Sequence, residues 1–452
     1  MLVPSKLCKC NMELLKKILD IRPLLAVSKR NYTENDFFKC YNEDNPPVFG
    51  QYNALTEKDY SRFLTQRSKR REAALTREIT HLAYKVGKEM LSLAEGMPNE
   101  GVFPFSKIDI QMKGGGNLLL EGKSLSGSLQ YIPTQGLPAL LGELNQLQEH
   151  LHRPPALARS VIVTNGGQHG IYQCVDMLVE PGDPVIVNEY SYTGIHSVLR
   201  PYHPEILGIP EDEHGMIPET LEAVLIDREK DLRAGVQIYF LIIEDDPYVF
   251  LNYNGNPISS FLSMDTYGRV IRLDSFSKVM SSGLRAGWAT VPTPLLQRLE
   301  FHSQAELLHT CSLTQVMLHH LLSNREQLVS YLQSARDLYR MRRDALQESL
   351  QQISDLAEWV LPDAGLFFWL RVRGVDDVYS MVFRTALHRG LMMVPGHAFT
   401  FDTSAPSHYV RLTFSKIPLE HMDQAVRRLA EIIRDEQLLT KQRQRKRLAS
   451  DR

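Results

Sequence analysis

The stretch DSFSKVMSSGLRAGW, residues 274–288, decides the fold of this chain. It places hydroxyls, one lysine and one arginine among small residues, directly after an apolar run, residues 269–273, that is typical of a strand end. A lysine amine can bond covalently to an aldehyde. Short hydroxyls and a guanidinium can hold a phosphate dianion, and glycine lets the backbone come close to such a ligand. The stretch therefore predicts a site for a group that carries both a phosphate and an aldehyde.

Pyridoxal phosphate carries these two groups, and its chemistry assigns a role to each polar side chain of the stretch. Lys278 is the expected point of covalent attachment, and Ser275, Ser277 and Arg285 are the expected phosphate ligands. The alternative is a Ser/Gly-rich surface loop that carries a lysine and an arginine, since loops of this composition are common. The arginine seven residues after the lysine, followed by Ala-Gly-Trp, favours the functional interpretation.

Length and composition bound the class of protein. The chain has 452 residues, of which 43% are hydrophobic and 23% charged, which is typical of a globular protein with more than one domain. Because 51 Lys and Arg balance 53 Asp and Glu, the net charge predicts no nucleic-acid partner. No apolar run reaches the roughly 18 residues of a membrane span. The five cysteines lack the paired spacing of a metal site or a redox motif, which favours a reducing compartment and no metal. They are Cys8, Cys10, Cys40, Cys174 and Cys311.

Residues 1–52 differ in character from the rest of the chain. Over residues 1–30, seven basic residues outnumber two acids, and apolar residues at 14, 15, 18 and 19 are spaced for one face of a helix. This character predicts either a mitochondrial presequence or an extension without function. The expected location of the protein is accordingly mitochondrial or cytoplasmic.

Two apolar runs end in turns that could contact the cofactor. The run at 161–163 breaks into a glycine-rich turn before a helix, and the N–H groups of Gly167 and Gln168 at such a helix start favour an anion. The alternative is a turn that only closes an α/β unit. The run at 184–188 leads to Tyr192, whose ring could stack on a pyridine ring or pack on the core.

The run Phe240–Ile243 predicts a strand buried in a parallel sheet. A carboxylate at the carboxyl end of such a strand lies where ligands bind in these sheets. We therefore expect Asp245 to pair with the pyridine nitrogen and Tyr248 to hydrogen-bond the phenolic oxygen of the cofactor. Asp246 is expected to be a solvated turn carboxylate.

From about Asn53 to Ile433 the chain resembles the kynurenine/α-aminoadipate aminotransferase branch of the class I aminotransferases. The resemblance is carried by six motifs: LIIEDDPY (241–248), FLSMD (261–265), GRVIR (268–272), DSFSK (274–278), SSGLR (281–285) and Pro-Gly-x-Ala-Phe (395–399). It implies an α/β protein with the fold-type I architecture of pyridoxal-phosphate transferases. The expected fold is a large, mostly parallel-sheet domain of three α/β/α layers with a smaller α+β domain. The implied activity moves an amino group from 2-aminoadipate, kynurenine or a related amino acid to a 2-oxo acid such as 2-oxoglutarate.

The same resemblance implies further site residues. Arg411, in the sequence Tyr-x-Arg-x-x-Phe-Ser, is expected to grip the substrate α-carboxylate, and Gly96 and Arg77 are expected near the substrate. Proteins of this fold bury their cofactor sites at a two-fold interface. The resemblance therefore implies a homodimer in which Tyr131 reaches the phosphate in the partner subunit.

The expected domain organisation rests on the same resemblance. Its parts are an N-terminal extension (1–52), an N-terminal arm with part of the small domain (53–105), a large cofactor domain (106–325), a small C-terminal domain (326–436) and a basic tail (437–452).

One departure from the family pattern concerns the sheet. Family members carry an Asn-Pro-Thr-Gly turn between the helix at 217–221 and Glu-Asp-Asp-Pro-Tyr, whereas here residues 236–239 run directly into the strand at 240–243. Neighbouring parallel strands need a crossover of about a dozen residues, so we expect one βα unit to be missing near 236–240. The loss predicts a displaced Asp245 carboxylate, and displacements of about 1 Å matter in such sites. A protein that binds the cofactor with impaired catalysis is therefore the alternative function.

Overall fold

The computed structural model describes residues 2–4, 54–86, 93–94, 96–113, 115–231, 240–255 and 258–450. The chain forms two compact units: unit 1 comprises Met1–Asn188, Ser197–Val249 and Pro257–Leu332, and unit 2 comprises Glu189–His196, Phe250–Asn256 and Gln333–Arg452. This division by contacts extends unit 1 to Leu332 and groups Glu189–His196 and Phe250–Asn256 with unit 2. The expected domain boundaries stay a prediction.

The described residues form the following strands and α-helices. The strands are β1 (Leu2–Pro4), β2 (Lys107–Gln111), β3 (Asn117–Glu121), β4 (Arg159–Thr164), β5 (Pro184–Asn188), β6 (Glu205–Ile209), β7 (Glu211–Asp212), β8 (Gly215–Met216), β9 (Ile242–Asp245), β10 (Val270–Ser275), β11 (Gly287–Pro292), β12 (Ala357–Trp359), β13 (Phe367–Val372), β14 (Val394–Pro395) and β15 (Tyr409–Thr413). The α-helices are α1 (Glu57–Phe63), α2 (Gln66–Lys69), α3 (Leu75–Val86), α4 (Gly122–Leu129), α5 (Pro138–His152), α6 (Gly167–Leu178), α7 (Thr193–Leu199), α8 (Pro218–Asp231), α9 (Phe261–Met264), α10 (Thr293–Glu306), α11 (Ser312–Ser323), α12 (Arg325–Leu350), α13 (Val378–Ser380) and α14 (Leu419–Ser450).

Unit 1 is built on a seven-stranded sheet in the order β4-β11-β10-β9-β1-β5-β6. Strand β11 runs antiparallel to both of its neighbours, and the pairings from β10 to β6 are all parallel. The buried strand predicted from the run at 240–243 is confirmed, since Ile242 and Ile243 of β9 are buried. Parallel strands bury both faces, which explains why this run is continuously apolar.

Strand β1 comes from the beginning of the sequence and lies between β9 and β5. Leu2 pairs with Ile243 on one side and with Val187 on the other, both in parallel register. This position beside β9 is where the sequence predicts a missing βα unit. The proposed junction at 236–239 lies outside the described residues, as does the rest of the expected N-terminal extension.

Helix α6 positions the candidate site. It packs against β4, β9, β10 and β11, and a Cβ on Gly170 would lie 3.1 Å from Leu273 Cδ2 of β10. Its N-cap is Gly166, whose φ of 80° lies in the left-handed region that favours glycine. The turn therefore directs the first N–H groups of α6 toward the ends of the neighbouring strands.

Unit 2 contains a four-stranded antiparallel sheet in the order β12-β13-β15-β14. Trp369 of β13 stacks on Tyr409 of β15 with ring centroids 5.4 Å apart. Helix α14 contributes buried apolar residues such as Ile432 and Ile433. It continues to Ser450, through residues expected to form a separate basic tail.

Candidate active site

The turn between β4 and α6 meets the guanidinium of Arg285. Arg285 Nη2 donates to the carbonyl oxygen of Asn165 at 3.3 Å, and its Nη1 donates to the carbonyl of Ser282 at 3.0 Å. A Cβ atom on Gly166 would lie 2.5 Å from Arg285 Nη2, so a side chain there would displace the guanidinium. Helix N-terminal N–H groups and a guanidinium together form a cradle for an anion.

The two predicted hydroxyls lie at the end of β10. Ser275 Oγ donates to Ser277 Oγ at 2.9 Å, and the backbone N–H of Ser277 donates to Ser275 Oγ at 3.2 Å. Gly287 brings β11 close, because a Cβ there would lie 2.7 Å from the Asp274 carbonyl oxygen and 3.1 Å from the carbonyl carbon of Gly166. The serine loop and the glycine-rich turn are thus held side by side.

Asp245 ends β9 next to the same helix start. Its Oδ1 atom lies 3.6 Å from where a Cβ on Gly167 would stand. Burial raises the pKa of Asp245 to about 7, and the Asp246 and Asp274 carboxylates also act to raise it, whereas the charges of Arg272 and Lys278 oppose the shift. A carboxyl group with a raised pKa beside a lysine is typical of a functional site.

Asp246 is not the solvated turn carboxylate expected from the sequence. Its side chain is 6% exposed, and Oδ2 pairs with Arg272 Nη2 at 3.1 Å. Its Oδ1 accepts the backbone N–H of Tyr248 at 3.0 Å. Successive strand residues alternate between faces, so Asp246 lies opposite Asp245, where a buried arginine of β10 satisfies it. Tyr248, in the turn after β9, is half-buried, as is Gln168 near the start of α6.

Two further predicted site residues, Tyr131 and Arg77, lie in unit 1 next to Ile132: Tyr131 precedes it in the sequence, and Arg77 contacts its carbonyl oxygen. The Tyr131 side chain is 42% exposed, and its ring packs edge-on against His309 with centroids 5.6 Å apart. Arg77 is buried and donates from Nη2 to the Ile132 carbonyl at 2.6 Å, and burial lowers its pKa. Apart from its chain neighbours, no atom of the described residues lies within 4 Å of a Cβ built on Gly96.

The two predicted site residues of unit 2 differ in their surroundings. Tyr192 directly precedes α7 and is 54% exposed. Arg411, on β15, lies over the ring of Phe367 at 4.0 Å and over that of Phe399 at 4.8 Å, both measured from its guanidinium carbon to the ring centroid. The two aromatic faces hold the guanidinium by cation–π contacts.

Sequence reasoning missed a buried ionic cluster beneath Asp245. Its centre is Arg272, whose side chain is 0% exposed and which pairs with Glu244, Asp246 and Asp274. The available signal was the alternation of Arg272 and Asp274 within an otherwise apolar strand. A charge in such a strand requires a buried partner.

Comparison with known proteins identifies the family. The family profile "Aminotransferase class I and II" matches residues 239–429. The mitochondrial kynurenine/alpha-aminoadipate aminotransferase of Rattus norvegicus is 36% identical over 422 residues, which cover 83% of this chain and 99% of that protein.

Solved structures agree on the fold. The aminotransferase Aro8 from Candida albicans has a TM-score of 0.74 at 22% identity and covers 86% of this chain and 100% of its own. The kynurenine aminotransferase of Pyrococcus horikoshii, solved in complex with PMP, has a TM-score of 0.65 at 26% identity, over 84% of this chain and 98% of its own. The predicted fold-type I architecture, pyridoxal-phosphate chemistry and family resemblance are confirmed: this chain belongs to the class I and II aminotransferases.

Proposed function

We propose that this aminotransferase moves the amino group of 2-aminoadipate, kynurenine or a related amino acid to a 2-oxo acid such as 2-oxoglutarate. The names of the Rattus norvegicus and Pyrococcus horikoshii relatives support this substrate class. The observation that carries the chemistry is the convergence of Asp245, Lys278, Arg285 and the start of α6 at one edge of the sheet.

The side chains at this edge fit pyridoxal phosphate. The N–H groups at Gly167 and Gln168, the hydroxyls of Ser275 and Ser277, and Arg285 supply the donors that a phosphate dianion needs. Three further roles are proposed: Asp245 at the pyridine nitrogen, Tyr248 at the phenolic oxygen and Tyr192 against the ring. When bound, the cofactor supplies the electron sink for the reaction.

Lys278 is the proposed catalytic residue. Its amine holds the cofactor in the resting enzyme, and once freed its Nζ takes the proton from the α-carbon of the substrate. Arg411, fixed between two aromatic rings, is the proposed partner of the substrate α-carboxylate, which a guanidinium can bind through two parallel hydrogen bonds. Gly96 and Arg77 are also proposed to lie near the substrate.

Borohydride reduction of the cofactor-loaded protein and subsequent peptide mapping test this site. We expect the pyridoxyl group on Lys278 and no label in Lys278→Ala. A label on another lysine of the loaded wild-type protein contradicts the assignment.

The substrate class is tested with a panel of amino donors and 2-oxoglutarate. We expect 2-aminoadipate or kynurenine to give the highest kcat/KM. A preference for aspartate or alanine alone would overturn the assignment while leaving the transaminase chemistry intact.

We also propose that one βα unit of the family sheet is missing near 236–240. Support comes from the alignment with the rat relative, which has 422 positions but includes only 83% of the 452 residues of this chain. The alignment is therefore longer than the part of this chain that it includes. The relative therefore carries residues that have no counterpart here. If the loss impairs catalysis, the purified protein will show the absorbance of bound pyridoxal phosphate without amino-group exchange; turnover at rates of about 1 per second or more rejects the impaired alternative.

A homodimer is proposed as the assembled form. The exposed large apolar or aromatic side chains of unit 1 include Leu75, Val102, Phe105 and Tyr131, as expected where a partner covers them. Light scattering should give twice the chain mass of 51.6 kDa. A mixture of inactive Lys278→Ala with an inactive Tyr131 variant should regain activity if Tyr131 serves the partner's site, and failure to regain it contradicts this role.

The proposed location is mitochondrial or cytoplasmic. The name of the rat relative supports the first, and no helix in the described part of this chain has the length and hydropathy to span a membrane. Fractionation of cells that express the chain with and without residues 1–52 decides between them. Import only with residues 1–52 present identifies a presequence.

A further inference from the structure

Arg272 lies at the centre of the ionic cluster under the candidate site. Its Nη1 is 3.0 Å from Glu244 Oε1, and its Nη2 is 3.1 Å from Asp246 Oδ2 and 2.9 Å from Asp274 Oδ1. The guanidinium Nε also donates to both carboxylate oxygens of Asp274 at 3.1 Å. One side chain of β10 is thereby bonded to one residue of β9 and one of the turn after it.

The two residues that Arg272 holds on the β9 side flank Asp245 in the sequence. Arg272 is the register partner of Glu244, and Leu273 is that of Asp245. Because side chains alternate along a strand, Glu244 and Asp246 lie on the face opposite Asp245. The guanidinium therefore fixes the backbone on both sides of Asp245 without touching the face that receives the cofactor.

The same contacts extend to Tyr248. Asp246 Oδ2 is bound by Arg272, and its Oδ1 accepts the Tyr248 backbone N–H at 3.0 Å. The Asp246 N–H donates to the Leu273 carbonyl at 3.0 Å. Glu244 accepts the N–H groups that start α9, at 2.9 and 3.2 Å. The end of β9 and its turn are thus bonded from three directions.

The charges of the cluster also act on Asp245. The carboxylates of Asp246 and Asp274 raise its pKa, and Arg272 lowers it. Gln148 donates to Asp274 Oδ2 at 3.0 Å, which adds a neutral donor on the far side. The charge of Arg272 thus opposes the rise in the pKa of Asp245 that burial and the neighbouring carboxylates produce.

We propose that Arg272 is a positioning residue of this aminotransferase, which holds the Asp245 carboxylate and the Tyr248 turn in the geometry that the cofactor requires. The proposal rests on the proposed roles of Asp245 and Tyr248. It concerns a residue that contacts neither cofactor nor substrate and acts through Glu244 and Asp246.

The test compares Arg272→Lys with Arg159→Lys. Arg159 is a matched control, because it is also buried and its Nη2 pairs with a buried carboxylate, that of Asp265, at 3.1 Å. Two readouts are taken: the Kd for pyridoxal phosphate from absorbance titration, and amide hydrogen exchange over residues 244–250 in the cofactor-free protein. We expect Arg272→Lys to raise Kd at least about tenfold, since displacements of about 1 Å are costly in such sites, and to speed this exchange, whereas Arg159→Lys changes neither.

Asp246→Asn keeps the shape of the side chain and removes its charge. It serves as the test of the proposal if Arg272→Lys fails to fold. It should raise the Kd for pyridoxal phosphate and speed exchange of the Tyr248 amide. The proposal is overturned if folded Arg272→Lys has the wild-type Kd and the wild-type exchange rates. If Arg272→Lys does not fold, the same result for Asp246→Asn overturns it. Asp245→Ala separates this failure from that of the proposed site: if Asp245→Ala leaves Kd unchanged, the role of Asp245 itself is wrong.

Discussion

Strand β9, which presents Asp245, has two different neighbours. Toward β10 it pairs over four residues, from Ile242 with Val270 to Asp245 with Leu273, and the Arg272 ion pairs reinforce this ladder. Toward β5 the sheet is completed by the three residues of β1, which pairs with β9 over its whole length but meets β5 through the single pair of Leu2 and Val187. One flank is a full ladder and the other is a short bridge.

The candidate site and the proposed loss of a βα unit lie on different flanks of β9. Asp245 ends β9, and the other residues of unit 1 proposed to hold the cofactor of the same protomer come from the β10–β11 loop and the β4–α6 turn, both on the β10 side, apart from Tyr248 in the turn after β9. Asp245 Oδ1 stays 3.6 Å from the Cβ position of Gly167. A change on the β5 side can therefore lower stability while the groups that carry the chemistry remain together.

The largest effect is expected from truncation in the full ladder. Ile271→Ala removes a completely buried side chain of β10 and should lower the free energy of unfolding by about 3 kcal/mol and weaken cofactor binding. Val187→Ala on β5, also buried, should cost less and leave cofactor affinity unchanged. Urea unfolding and cofactor titration of both variants check this. Equal effects of the two on cofactor affinity would remove the distinction between the flanks.

An intermediate effect is expected from the titration of Asp245. Its pKa is raised from 3.8 to about 7 in the folded protein. Between about pH 4 and pH 7 the folded state keeps a proton that the unfolded state has released, so stability is lost as pH rises through this window and the cost is constant above it. Asp245→Asn removes the titration and should stabilise the cofactor-free protein relative to wild type above pH 7, but little near pH 4.

Unfolding of both cofactor-free proteins by urea at several pH values measures this difference. Asp274, whose pKa is raised to about 6 mainly by burial, titrates in both proteins. A stability difference that does not change between about pH 5 and pH 8 would show that Asp245 is ionised throughout that range.

The smallest effect is expected from removal of β1. A variant without residues 1–5 should lose about 1 kcal/mol, since a few backbone hydrogen bonds contribute little net free energy each. Its amides in β5 and β9 should exchange faster, while the Kd for pyridoxal phosphate stays within about twofold of wild type. Unchanged exchange in β5 and β9 would mean that β1 does not bridge them. Cleavage of a presequence at residues 1–52 would remove β1 as well. The same measurement on the cleaved protein would therefore show how much stability the cleavage costs.

The sequence by itself determined the chemistry of this protein. Lys278 and Arg285, seven residues apart beside two serines, predict a site for a phosphate-bearing aldehyde, and an apolar run that ends in Asp245 predicts a buried strand with a carboxylate at the ligand-binding edge. Strand and helix assignments could be made because apolar periodicity is a local property of the chain. The family resemblance rested on the same local motifs.

Only the tertiary structure decided which buried charges satisfy one another and what lies beside β9. Arg272 and Asp246 are 26 residues apart, and nothing local shows that their strands are neighbours, so Asp246 was expected in solvent. Strand β1 pairs through backbone N–H and C=O groups, which every non-proline residue carries. No side-chain pattern therefore predicts its position between β9 and β5. Contacts of both kinds depend on which strands the sheet makes adjacent, and that adjacency is fixed by the packing of the whole unit.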